Sequence, residues 1–265
     1  MYSEEHKRYL KKRKKRKFLI HTFQILVIII FIISWQILAD NNIINTFITS
    51  SPRDIIKTII NLHNTNNLYN HIGITTYETI VSFSLGILIG LVIATMLWWN
   101  DFLHKVIEPY LTILNSLPKV ALGPVIIIWA GASMSSIILM ALLISAIISI
   151  VNIYQGFTNT DPNKIKLMKS FKATKFQIYT KLILPSSIKN IISTLKINIS
   201  MSLIGVIMGE LLVSKEGLGY LINYGSQVFN LDLVMSGVFV LAIVSVIMYY
   251  AIVLVEYIIL KKIIK

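Results

Sequence analysis

KKRKKRKFLIHTFQILVIIIFIISWQILADNN, residues 11–42, sets an unbroken basic run (11–17) directly before an apolar run (18–39). About 20 apolar residues in a helix cross the ~30 Å hydrocarbon core of a bilayer. A secretory signal has a shorter apolar core and a small-residue cleavage site. The run at 18–39 is too long for that, and Asp40, Asn41 and Asn42 follow it. It reads as a retained first membrane span. Basic runs also occur in nucleic-acid-binding segments. Immediately before a span, such a run anchors topology and attracts anionic lipid, so no nucleic-acid partner is expected.

Working outward, the rest of the chain has the same character. Of its 265 residues 55% are apolar and 14% charged, there is no cysteine, and the mean hydropathy is +0.72. Soluble domains carry about 25% charged residues. The composition excludes a soluble enzyme, a disordered chain, a disulfide scaffold and cysteine-ligated metal sites. Further apolar runs lie at 76–99, 104–130, 134–154, 191–213 and 234–260. The run at 104–130 contains Pro118 and Pro124, which interrupt helices. Lipid accepts such breaks only where protein or a water-filled cavity serves the freed backbone groups. Six spans put both termini on one side.

Basic residues test that count. Lys7, Arg8, the 11–17 run, Lys105, the seven lysines from Lys164 to Lys189, and Lys261, Lys262 and Lys265 all fall on one side of a six-span chain. Arg53, Lys57 and Lys215 fall on the other. The positive-inside rule then places both termini and the stretch 155–190 in the cytoplasm of a multi-pass plasma-membrane protein. The expected organisation is a basic cytoplasmic segment (1–17), a first span (18–39), an external loop (40–75), a core of five spans (76–260) and a cytoplasmic tail (261–265).

Within the spans, Gly86 and Gly90 in the second and Gly205 and Gly209 in the fifth repeat at four-residue spacing. That spacing opens one helix face to close backbone approach. Ionisable groups in apolar spans are functional candidates. Glu210 is the clearest, as a pathway or gate residue, with Asn115, Asn152 and the proline breaks Pro118 and Pro124 beside it. Trp129 also reads as an interface anchor. Glu78 and Glu108 sit at span starts, where an acid suits the helix dipole. The sequence contains no GxxxxGK[ST], HExxH or GxSxG, and His6, His21, His63, His71 and His104 have no paired-ligand spacing. No catalytic or metal-binding residue is therefore assigned, and energy must come from an ion gradient or a separate subunit.

The stretch 166–185, KLMKSFKATKFQIYTKLILP, is too polar to span. Phe171, Phe176, Ile178, Tyr179, Leu182 and Ile183 recur among lysines, as on a short amphipathic helix that rests on lipid or docks into a partner groove. It resembles the EAA loop of binding-protein-dependent ABC importer permeases. Ser170, Phe171, Ala173 and Thr174 match the middle of that loop, and Leu184 and Pro185 its end. Lys166, Leu167 and Met168 stand in the Glu-Ala-Ala positions and Lys172 in the glycine position. Glycine there serves a turn with positive φ, which a lysine adopts at a cost of about 1 kcal/mol or more.

SSPRDIIKTI, His71 with TTYE, LPKVALGPVIIIWAG, NIYQGF, IGVIMGELL and EGLGYLI extend the resemblance over about residues 50–258. Together they resemble permeases of the nitrate, sulfonate and taurine importers, closest to the hydroxymethylpyrimidine and riboflavin branch. The resemblance implies an all-α, six-span bundle of the type I importer kind with a cytoplasmic coupling loop. It implies an ATPase partner that binds the ATP, an external solute-binding protein and a second permease copy. It assigns ATPase coupling to Ser170, Phe171, Lys172, Ala173, Thr174 and Pro185. The scarcity of charge within the spans suits a small neutral or weakly charged aromatic solute. The competing reading is a gradient-driven carrier or channel without an ATPase, which has no use for the EAA-like loop.

Overall fold

The computed structural model describes residues 4–65 and 67–263. Residues 1–3 of the basic segment, Asn66 in the expected external loop and residues 264–265 of the tail lie outside them. The described residues form helices and turns, with no strand among them. Five helical stretches are long and apolar enough to cross a bilayer. These are α1 (Glu4–Asp40), α4 (Asn67–Trp99), α7 (Met134–Thr158), the stretch Lys175–Val213, and α12 (Leu231–Ile263).

The run expected as a third span is not one helix. It divides into α5 (Asp101–Ser116), a 3-10 turn (Lys119–Leu122) and α6 (Gly123–Ala130). The prolines cause the division. A residue before proline is driven out of the helical region, and Leu117, before Pro118, is extended (φ −64°, ψ 139°). Pro124 then sits in the first turn of α6, where its missing N–H costs nothing.

The stretch 40–75, expected as an external loop, is largely helical. It holds α2 (Thr46–Thr49), α3 (Pro52–Asn64) and the first turns of α4. Ser51 caps α3: its Oγ accepts from Asp54 N at 3.2 Å and donates to Asp54 Oδ2 at 2.7 Å, with Pro52 in the first turn. Ser50 Oγ donates to Asp232 Oδ1 (2.6 Å) and Ser236 Oγ to Ile55 O (3.2 Å), pinning α3 on α12. α1 is exposed along most of its length; Gln36 Oε1 accepts there from Arg53 N on α3 at 3.0 Å.

The centre of the bundle is α7, held between α4 and α10 (Leu184–Val213). The glycines explain how closely they meet. A Cβ on Gly86 would strike Ser145, and one on Gly90 would strike Ser149, both on α7. From the other side, a Cβ on Gly205 would lie 2.5 Å from Ala141 Cα, and one on Gly209 2.9 Å from Ile137 Cγ2. All four glycines thus face one helix. Asn198 on α10 adds a buried polar tie: it donates to Ser149 Oγ and accepts from Ser202 Oγ at 3.1 Å.

Gly205→Val should destabilise the bundle by about 1–3 kcal/mol through overpacking against Ala141. A Cβ on Gly73 meets nothing within 4 Å, so Gly73→Ala should be neutral or stabilising by up to ~1 kcal/mol from helix propensity. Thermal unfolding of the detergent-purified variants compares the two.

Candidate functional site

The lysine-rich stretch folds into a sharp corner. α8 (Pro162–Ser170) starts on Asp161, whose side chain accepts from Asn163 N at 2.8 Å. It ends in a paired closure: Lys172 N donates to Lys169 O (2.9 Å) and Ala173 N to Met168 O (3.1 Å). This termination requires a left-handed residue just past the helix. Lys172 supplies it with φ +57°, so the position where the resemblance expects glycine is indeed the one with positive φ. Thr174 at once caps the next helix, α9 (Lys175–Ile178), by a reciprocal box. Gln177 N donates to Thr174 Oγ1 (3.3 Å) and Thr174 N to Gln177 Oε1 (2.8 Å). Two helices therefore meet across a short link whose N–H groups, at residues 171–174, are all hydrogen-bonded.

The tip of the corner is exposed. Leu167, Phe171 and Phe176 stand at 57%, 76% and 64% exposure, an apolar ridge flanked by lysines. Ser170 Oγ turns back to Leu167 O (2.7 Å). Beyond the ridge the chain enters the bundle. The sequence pattern suggested a surface helix through Ile183, but Ile178 and Ile183 are buried with Ala94, Ile153 and Phe157. The stretch Lys175–Val213 runs on without a break through a π-helical turn, Tyr179–Ile183. Leu184 N there bonds Tyr179 O, five residues back. A π turn at this point accommodates Pro185, which has no N–H and whose ring crowds the carbonyl four residues earlier. Pro185 therefore lies behind the corner, not in it.

A clasp fixes the corner to the end of α4. Lys175 Nζ donates to Trp99 O at 2.5 Å and lies over the Trp98 and Trp99 rings (5.6 and 5.7 Å). A cation at a helix C-terminus serves an orphan carbonyl and meets the negative end of the dipole. Tyr179 OH and Thr95 Oγ1 share a hydrogen bond at 2.7 Å, and the Tyr179 ring packs on Trp98 at 5.2 Å.

Near the start of α4 lies a second cluster. Gly217, with φ +103°, precedes α11 (Leu218–Gln227). Three successive backbone N–H groups at this helix entry find side-chain acceptors. Gly217 N donates to His71 Nδ1 (2.9 Å), Leu218 N to Thr75 Oγ1 (2.8 Å) and Gly219 N to Glu210 Oε2 (2.5 Å). Thr75 Oγ1 in turn donates to Glu210 Oε1 (2.6 Å). Glu210 and Glu78 are almost fully buried, and their carboxyl groups meet. Glu78 lies well inside α4 with 1% exposure, not at a helix start on the interface as its sequence position suggested.

The structure thus gathers Ser170, Phe171, Lys172, Ala173 and Thr174 at one corner. Asn115, Pro118 and Pro124 lie together on the exposed α5–α6 stretch. Asn115 lines, with His104, Glu108 and Tyr154, a cavity of about 560 Å³ between α5 and α7. Asn152 is half-buried in α7, and its carbonyl accepts from Asn190 Nδ2 (2.6 Å). Glu210 is remote from that stretch in sequence and is engaged as the cap described above. Sequence reading gave no part to the Lys196–Glu256 ion pair (2.5 Å) between α10 and α12. The i, i+4, i+7 spacing of His71, Thr75 and Glu78 was the available signal that they share one helix face.

The profile of a family described as "Binding-protein-dependent transport system inner membrane component" matches residues 86–265. A probable ABC transporter permease protein of Haemophilus influenzae is 28% identical over 86% of this chain and 92% of its own length. The formylaminopyrimidine transport permease protein ThiX of Halalkalibacterium halodurans is 26% identical over 86% of this chain and 90% of its own. Among solved structures, an inward-facing methionine ABC transporter, MetNI, superposes with a TM-score of 0.64 at 18% identity. The match covers 72% of this chain and 95% of that one; at that identity it speaks for the fold.

Substitutions at two positions test the geometry. Lys172→Val, β-branched at positive φ, should cost on the order of 1–2 kcal/mol, whereas Lys172→Gly should keep the corner. Limited proteolysis within residues 162–178 reads the difference. Thr75→Val removes an acceptor from Leu218 N and a donor from Glu210, and should cost about 1–3 kcal/mol, with Thr75→Ser close to neutral in thermal melts.

Proposed function

We infer function from membership: this chain belongs to the family of binding-protein-dependent transport system inner membrane components. It is a multi-pass membrane protein and the permease subunit of an ABC importer for a small solute. In our reading ATP is bound and hydrolysed on a separate ATPase subunit, an external binding protein delivers the solute, and two copies of this chain enclose the pathway.

One observation carries the assignment of the coupling site. The corner at 167–176 presents Leu167, Phe171 and Phe176 to solvent on a turn whose N–H groups are already bonded. A pre-formed apolar ridge loses little conformational freedom on docking, which suits a helix-in-groove contact. The flanking lysines fit an acidic rim on the ATPase groove. A gradient-driven carrier has no use for such a ridge. In the six-span reading α5 and α6 together make the third crossing, which keeps both termini and the corner on the cytoplasmic side.

The α5–α6 stretch supports the second permease copy and the pathway. No residue of α5 is buried, and Tyr110, Ile113, Ile128 and Trp129 stand exposed along the broken segment. A twofold pairing through this face would bury them and line the route with Asn115 and with the backbone groups freed at Pro118 and Pro124. Asn152 borders that route from α7, and Glu210 acts on it by holding the entry of α11 closed or open. The solute is assigned as a small neutral or weakly charged aromatic compound, a pyrimidine-type vitamin precursor before a sulfonate, nitrate or taurine. The support is the scarcity of charge within the spans and the likeness to a formylaminopyrimidine permease.

Phe171→Ala, or Lys172→Glu on the same corner, should leave the melting temperature unchanged. Either should lower solute-stimulated ATPase activity and uptake at least tenfold in proteoliposomes reconstituted with the ATPase and the binding protein. Undiminished stimulation by both variants overturns the placement of the coupling site.

A further inference from the structure

Beside the corner, between the end of α7 and the start of α10, is a groove of about 560 Å³. Asn159, Thr160, Asp161 and Lys164 wall one side of it, and Ser186 and Lys189 the other. Its floor is already satisfied, since Ser187 Oγ donates to Gly156 O (2.8 Å) and Asn190 Nδ2 to Asn152 O. Its walls are not. Thr160 is 5% exposed, and its Oγ1 is buried without a hydrogen-bond partner. Leaving such a group unpaired is costly. Among the described residues, the Lys164 and Lys189 ammonium groups and the Ser186 hydroxyl also make no hydrogen bond or ion pair. The one acidic lining residue, Asp161, is occupied in capping α8.

Two ammonium groups and the Ser186 hydroxyl line the groove without an acceptor of their own, and the unpaired Thr160 hydroxyl lies buried in its wall. A phosphate oxyanion presents several strong acceptors and negative charge at once, and it fits that donor set. We propose that this groove binds the phosphate of an anionic phospholipid headgroup and thereby braces the root of the corner. This rests on the reading above that the corner end of the bundle faces the cytoplasm. The helix face favours lipid over free phosphate. Ser186, Lys189 and Ser193 lie at i, i+3 and i+7 on α10, and the same face continues through exposed Ile197 and Ile204. An acyl chain would lie along those residues, and a soluble anion has no use for them. Lysines where a span emerges reach the headgroup level.

Native mass spectrometry of the purified full-length permease tests the site, with added phosphatidylglycerol, phosphatidylcholine or inorganic phosphate. Phosphatidylglycerol adducts should persist in the wild type and in Lys166→Gln/Lys169→Gln, which removes equal charge from α8 outside the groove. Lys164→Gln/Lys189→Gln should weaken them by about thirtyfold, the factor two lysines supply near an anionic surface. Equal adducts in both double variants, or equal retention of phosphatidylcholine, overturn the site. Lysine-dependent binding of inorganic phosphate that displaces the lipid overturns the headgroup as its source. The chain has no cysteine, so Ser186→Cys gives a unique label. Modification of Ser186→Cys by an impermeant maleimide only in inside-out vesicles is expected. Modification from the outer face would overturn the orientation, while the adduct measurement still judges the groove.

Discussion

In hydrocarbon, every backbone N–H and C=O needs a partner within the protein, and this structure is organised by where that demand is hardest to meet. Continuous helices satisfy themselves, so the difficulty falls on breaks and ends. Several buried polar side chains sit at those places. At the entry to α11, His71, Thr75 and Glu210 serve three consecutive N–H groups. At the end of α4, Lys175 serves the Trp99 carbonyl. Asn190 and Ser187 serve carbonyls of α7 at Asn152 and Gly156. Before Pro185, the helix itself adjusts by one π turn.

Those ties do more than complete hydrogen bonds, because they join the two ends of one packed unit. α4, with 33 residues, is about 50 Å long. It carries the Glu210 partners near its start and the Lys175 clasp at its finish. Between them, Gly86 and Gly90 bring it onto α7, and Gly205 and Gly209 bring α10 onto the same helix. Closely packed helices with buried polar cross-ties have little freedom to slide. In the proposed importer, a displacement at the corner would then reach the α11 entry as rigid-body motion, the form in which packed helical units switch.

The bundle was legible in sequence because hydropathy and lysine placement respond to the same solvent. The corner was legible through the residues that resemble an EAA loop, Ser170, Phe171, Ala173 and Thr174, although Lys172 stands where that pattern has glycine; its positive φ shows that the turn is kept. What escaped was polar residues placed in helices for tertiary reasons. Residues 67–75 look like loop, yet His71 and Thr75 are buried in α4 because the α11 entry needs acceptors there. Ile178 and Tyr179 alternate with lysines as on a surface helix, yet they pack inward because the π turn rotates the stretch onto α4. Lys196 was passed over because its partner Glu256 lies sixty residues away, and no local pattern connects them.

Glu210 shows how an intramembrane charge divides between structure and transport. Both carboxylate oxygens are engaged, one by Thr75 and one by Gly219 N, and a Cβ at Gly217 or Gly219 would collide with its side chain. A group so enclosed cannot meet a passing solute without releasing the first turn of α11. On the proposed reading of Glu210 as a gate, contact with the route and opening of α11 would happen together. The α5–α6 stretch has the opposite character, with exposed side chains along a segment broken at Pro118. On the proposed reading, direct lining of the pathway falls to the broken stretch, and control of access to the cluster around Glu210.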